Sequence, residues 1–285
     1  MLTVSPESAP TATPAPTTGA RALVRWCVLR SEPATGAENM ALDEALMAYS
    51  ARTGSGVLRV YGWAEPTLSL GRHQTARGRY DLERAAALGV RFVRRPTGGR
   101  AVLHHREITY AVAAPVDALG TLSESYRWIN RLLLDGLARL GVDARESRQA
   151  LGSRVRAPGV VPCFQEPAPG EIESGGHKLV GSAQLREGGS MLQHGSILVD
   201  DDQVLAAALV TSPRGTPPSP PRAATLRTLL GRGPTIAETT DALTTALRYA
   251  APHLPIAELH PDAMLHDDVA HLRKKFADDD WTWRR

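Results

Sequence analysis

HKLVGSAQLREGGSMLQHGSILV, residues 177–199, reads as two β-strands folded back on each other. Its apolar runs flank Glu187, Gly188 and Gly189, residues suited to the tight reversal between paired strands. Lys178 therefore falls on or beside a strand. The strand runs on through Gly181, Ser182 and Ala183, side chains small enough to leave room above a sheet for a bound molecule.

Upstream, VLRVYGW and TLSLG have period-two character and are separated by the breaker Pro66. VRFVRR follows a short helix that Gly89 should end, and AVLHHREITYAVAA continues as a strand or hairpin. The apolar segment from Val24 to Leu29 reads as a first strand, and Asn39 as the cap of a helix over MALDEALMAYS. Thr121 and Glu124 have capping-box spacing before SYRWINRLLLDGLARLG, with Gly141 as its stop. Helical patterns return after Pro234 and near the C-terminal end. This irregular alternation, with no internal repeat, predicts an α+β fold: a mixed β-sheet flanked by helices rather than a doubly wound parallel sheet.

The 285 residues carry 42% apolar side chains, enough for one large or two small domains with a packed core. Apolar runs such as 132–134 and 204–210 are far too short to cross a bilayer, so no membrane span is expected. Residues 1–20, rich in Pro, Ala, Thr and Ser but without a signal-peptide pattern, read as a flexible tail. SPRGTPPSPPR, 212–222, reads as an extended surface loop. A net charge of +3, with basic residues scattered among acidic ones, argues against nucleic acid. The two cysteines, Cys27 and Cys163, form neither a CxxC nor a zinc spacing. No disulfide framework, metal or cofactor is expected, and a reducing cytoplasm fits.

Three segments could carry chemistry. In RRPTGGRAVLHH, Gly98 and Gly99 permit close backbone approach to a ligand, while Arg94, Arg95 and Arg100 supply charge beside Thr97. The segment lacks the phosphate-loop and dinucleotide patterns, and a plain turn is an equal reading. Lys178 taken alone would be a solvated surface cation. With Cys163 as partner, its ammonium would stabilise a thiolate and raise the reactive fraction at neutral pH. His104, His105 and His194 could each be a general base, a substrate donor or a structural histidine. No HExxH or GxSxG pattern is present.

In order along the chain stand ENMALDEALM, LRVYGWAEPTLSLGRHQ, RRPTGGRAVLH, EITYAV, PCF, KLVGSAQ and LQHGS. This series resembles the lipoate/biotin protein ligase superfamily over residues 26–200, with a weaker match at KKFADDDW. TGGRAVLH with EITY, and PCF with KLVGSAQ, are most similar to its LipM-type octanoyltransferases. The resemblance implies a biotin/lipoate protein ligase-like catalytic domain over 21–260 and a C-terminal helical extension over 261–285. It implies that Cys163 carries an acyl-thioester and that Lys178, fifteen residues on, lowers its pKa. It places Arg95, Thr97, Gly98, Gly99, His104, Gly181, Ser182, Ala183 and His194 at the substrate. The implied donor is octanoyl-acyl carrier protein, and the acceptor a lysine of the glycine cleavage H protein or another lipoyl domain. Two departures stand out: His105 is followed by Arg106 where relatives often have an acidic residue, and PAPG replaces an aromatic after PCF. An ATP-dependent lipoate ligase, with Cys163 structural, and a noncatalytic acyl-protein binding module are the competing readings.

Overall fold

The computed structural model describes residues 23–147, 170–211 and 223–285. The expected tail over 1–20, Cys163 and the proline-rich 212–222 lie outside the described residues. In chain order the first half comprises β1 (Arg25–Arg30), α1 (Gly36–Thr53), β2 (Ser55–Tyr61), β3 (Thr67–Leu70), α2 (Leu82–Ala87), β4 (Arg91–Arg94), β5 (Val102–His104), β6 (Glu107–Pro115) and α3 (Leu122–Arg139). It continues with β7 (Arg145–Glu146), β8 (Ile172–Ser174), β9 (His177–Glu187), β10 (Ser190–Leu198), α4 (Val204–Ala208), α5 (Leu226–Leu230), α6 (Ile236–Ala250), β11 (Ile256–Glu258), α7 (Ala263–Phe276) and α8 (Asp279–Thr282).

The β9–β10 hairpin forms as its residues dictate. Gly188 and Gly189 both take positive φ, 61° and 77°, the left-handed pair that a two-residue reversal needs. β10 pairs antiparallel with β9 on one side and β6 on the other. From there the large sheet runs β11-β1-β2-β6-β10-β9-β8-β7, with β1 parallel to β2 and to β11 and the other pairs antiparallel. A smaller sheet, β4-β3-β5, stands apart from it.

Strand alternation sends successive β6 side chains to opposite faces. Ile108, Tyr110, Val112 and Ala114 pack with Ile129, Leu133 and Leu137 of α3 and Leu243 and Leu247 of α6. Ala111 and Ala113 face the other way, toward Met40, Ala41, Ala45 and Leu46 of α1. α7 closes that layer through Leu265, Val269 and Leu272. α3 carries the expected Thr121–Glu124 capping box, and Gly141 follows it at φ 90°.

Two local expectations are corrected. Asn39 does not cap α1: Thr35 does, in a reciprocal box with Glu38, and Asn39 lies inside the helix with its amide donating to Ala34 O and Gly62 O. Residues 101–114 do not form a hairpin either. The strand breaks at His105 and Arg106, where the chain leaves the small sheet for the large one. That crossing sets His104 and Glu107 side by side at the seam between the sheets.

Candidate active site

A cavity opens between the two sheets and the start of α1. Met40, Tyr61, Trp63 and Val102 give it apolar walls. Gly181, Ser182 and Ala183 of β9 form one side, beside His194, Gly195 and Ser196 of β10. Arg95, Gly99 and His104 complete the opposite side with Ser69 and Thr109. Seven of the expected substrate residues thus meet on one surface. Thr97 and Gly98 stand behind it, bonded to residues that line it.

Arg95 holds the glycine loop in shape. Its Nε and Nη2 donate to Gly98 O at 3.1 and 2.7 Å, and Nη2 also donates to Arg100 O at 2.7 Å. Nη1 donates to Ser69 O at 3.1 Å and to Ser69 Oγ at 2.9 Å. Five donors are thereby directed at protein acceptors, so the guanidinium acts first as a clamp. Gly99 is required here: its φ is 97°, and a Cβ would sit 2.7 Å from Arg95 Nη2. Arg94 braces the same region from below, donating to Gly71 O, Gln74 O and Thr282 O. Burial and the neighbouring Arg284 and Arg285 lower its pKa to about 10.

Two buried carboxylates fix the two cavity histidines. Asp43 of α1 lies 2.8 Å from His194 Nδ1, accepts from Tyr61 Oη at 2.8 Å and pairs with Arg59 at 2.6 Å. Burial alone would raise the Asp43 pKa, but Arg59, His194 and Tyr61 overcome it and hold the carboxyl below its usual value. Nδ1 therefore carries the His194 proton, and Nε2 accepts from Thr97 Oγ1 at 2.6 Å. Burial holds the imidazole pKa below 6.5 despite Asp43, so His194 is the neutral anchor of the glycine loop.

The second set has the same logic. His104 Nδ1 is 2.8 Å from Glu107 Oε1, and its Nε2 is 2.7 Å from Ser69 Oγ. Since Arg95 donates to that oxygen, the serine proton points to Nε2, and Nδ1 keeps its own proton for Glu107. Trp63 stacks on His104 with centroids 4.0 Å apart and donates through Nε1 to Thr109 Oγ1, which in turn donates to Glu107.

Lys178 is not among the residues lining the cavity. It is 1% exposed on β9, three residues before Gly181, with Nζ donating to Glu171 Oε1 at 2.6 Å. His105 points elsewhere, pairing with Asp202 at 2.7 Å, and Arg106 faces Asp200 at 3.6 Å. Among the described residues no group of three or more His, Cys, Asp or Glu side chains is placed to hold a metal ion, and no helix is long and apolar enough to cross a membrane.

Sequence reasoning missed Asp43, Arg59, Tyr61, Ser69 and Glu107. A signal was present for two of them: Arg59 interrupts the apolar run VLRVY and Glu107 opens EITYAV, and a charge inside a buried strand requires a partner.

Residues 35–248 match the lipoyl protein ligase A/B catalytic domain. Octanoyltransferase LipM of Kyrpidia tusciae is 38% identical, over 91% of this chain and 99% of its own length. Octanoyltransferase LipM of Symbiobacterium thermophilum is 41% identical, over 76% and 83%. Among solved structures, the chain resembles a bipartite lipoate protein ligase of Thermoplasma acidophilum, described with its E2 lipoyl domain, with TM-score 0.73 and 21% identity over 91% of this chain and 96% of that one. That likeness establishes the lipoate protein ligase fold. The sheet topology, the cavity between the sheets and the chain-long identity agree: the chain belongs to the lipoyl protein ligase A/B catalytic-domain family, among its LipM-type octanoyltransferases.

Proposed function

We propose that this chain is an octanoyltransferase that takes its acyl group from octanoyl-acyl carrier protein and delivers it to a lysine of a lipoyl-domain protein, the glycine cleavage H protein first among them. Cys163 attacks the donor thioester and becomes the octanoyl-thioester; the acceptor amine then displaces the cysteine thiolate. Exchanging one thioester for another is nearly balanced and forming the amide is downhill, so the two-step route needs no nucleotide.

The observation that carries this reading is the position of Lys178. It is a buried cation on the strand whose next residues, Gly181 to Ala183, wall an apolar cavity. A buried ammonium favours an adjacent thiolate over the thiol, which makes a cysteine nucleophilic at neutral pH. Small side chains on β9 and β10 leave space for an extended acyl chain, each buried methylene contributing about 0.8 kcal/mol to selection by length.

The test is transfer without ATP. Enzyme, octanoyl-acyl carrier protein and a lipoyl-domain acceptor should yield octanoylated acceptor, and Cys163→Ala should abolish the product. Failure to transfer, with ATP-dependent use of free lipoate instead, would show a ligase with a structural cysteine. Binding of both proteins with no acyl movement under any condition would show a noncatalytic module.

A further inference from the structure

We propose that Ser69, His104 and Glu107 form the proton relay that deprotonates the attacking lysine, a step that rests on the reading above that the acceptor is a lysine amine. At neutral pH such a lysine is almost wholly an ammonium, its unperturbed pKa being about 10.4, and an ammonium has no lone pair to attack with. Some group facing the cavity must take a proton. Lys178 does not line the cavity, and His194 is turned toward Thr97, which lies behind the cavity wall. Ser69 and His104 both line the cavity.

The donor and acceptor directions suit the task. Ser69 Oγ accepts from Arg95 Nη1 at 2.9 Å and donates to His104 Nε2 at 2.7 Å, which leaves one oxygen lone pair for an incoming N–H. His104 Nδ1–H faces Glu107 Oε1 at 2.8 Å, so the carboxylate stabilises an imidazolium as it forms. Ser196 Oγ lies 3.2 Å from the same nitrogen and supports that orientation. Glu107 is 7% exposed, and its Oε1 also accepts from Thr109 Oγ1, which holds the carboxyl in place beside the imidazole. The charged and titratable groups around the relay are Glu107 from β6, Arg95 from the end of β4, His194 from β10 and Tyr61 from β2.

The steps balance. The ammonium gives one proton to Ser69 Oγ as the serine proton passes to His104 Nε2. The freed lone pair forms the C–N bond to the acyl carbon, and the C–S bond breaks with its electron pair on sulfur. The departing thiolate takes the second nitrogen proton and becomes a thiol. His104 then returns its proton to solvent through Ser69.

The test compares two amines on the full-length enzyme with octanoyl-acyl carrier protein: the lipoyl-domain lysine, and hydroxylamine, which is already unprotonated at neutral pH. In His104→Gln and Ser69→Ala, lysine transfer should fall about 100-fold or more, the usual worth of a general base. Their rates should climb about tenfold per pH unit toward the lysine pKa where the native enzyme levels off. Hydroxylamine cleavage, corrected for the uncatalysed reaction, should fall far less than lysine transfer does, because that nucleophile needs no base. Equal losses with both amines would mark a packing role and overturn the relay, as would a native-shaped pH profile in either variant. No lysine transfer by the native enzyme would remove the acceptor reading itself, and the relay with it.

Discussion

Arg59→Met tests the buried Arg59–Asp43 pair that holds His194. Arg59 and Asp43 are 1% and 0% exposed and 2.6 Å apart. At an effective dielectric of about 20, a pair at that distance attracts by about 6 kcal/mol. The desolvation of both ions offsets much of this, and removing one partner of such a pair costs about 3–5 kcal/mol. The guanidinium also donates to Ser31 Oγ, Asn39 O and Asn39 Oδ1 and lies 3.7 Å above the Tyr61 ring, so methionine restores volume but no donors. At roughly 2–4 °C per kcal/mol, Tm should fall by roughly 6–20 °C. A second signature separates this from a generic core defect. Without Arg59, the Asp43 charge acts undivided on His194, so the imidazole pKa should rise from its lowered native value, as read by NMR titration. The Asp43→Asn/Arg59→Met double variant should be less destabilised than the sum of the singles, because neither leaves the other charge buried alone. A cost under about 1 kcal/mol, strict additivity, or an unmoved His194 titration would each refute the reasoning.

Gly99→Ala should destabilise the glycine loop by about 1–3 kcal/mol, because φ is 97° and the new methyl meets Arg95; urea unfolding would measure the loss, and a neutral result would deny the clamp. For His194 the unfolded pKa of about 6.5 lies above the folded one, so between them the unfolded chain binds the extra proton and stability rises with pH. Acidification below about pH 6.5 should therefore remove up to about 1.4 kcal/mol per pH unit, a slope that His194→Gln should flatten in pH-dependent denaturation. The lowered pKa of Asp43 adds a second loss below about pH 3.9, which Asp43→Asn should remove. Thr35→Ala should cost about 1 kcal/mol in thermal unfolding, whereas Asn39→Ser, which keeps a capping side chain at a position that is no cap, should be the more damaging because it strips the acceptor from Arg59. Lys178→Met should raise the pKa of Cys163, read as slower alkylation by iodoacetamide at pH 7 that recovers at high pH.

The parts of the fold that were legible were those whose cause is local. The Gly188–Gly189 reversal and the Thr121–Glu124 box lie within a few residues of the elements they define. The same logic would have found the α1 cap, since Thr35 and Glu38 have box spacing; Asn39 drew attention only because it precedes the apolar run. The break at His105–Arg106 was hidden because sheet membership is set by long-range pairing: β5 joins β3 while β6 joins β2 and β10. At the site, the glycines and histidines were visible as residue types. Of their carboxylate partners, Glu107 stands only three residues from His104, whereas Asp43 was hidden, because it is 151 positions from His194 and local spacing cannot show such a contact. Arg95 changed meaning for a related reason. A sequence shows a positive charge, whereas the fold shows that charge bonded to the loop it shapes.

The most direct test of the central claim is peptide mass spectrometry of the enzyme after brief exposure to octanoyl-acyl carrier protein without ATP or acceptor. One octanoyl group should appear on the peptide bearing Cys163, labile to thiols, and disappear when a lipoyl domain is added as the acceptor lysine gains it. An unmodified Cys163 in enzyme that still octanoylates the acceptor would contradict the thioester route.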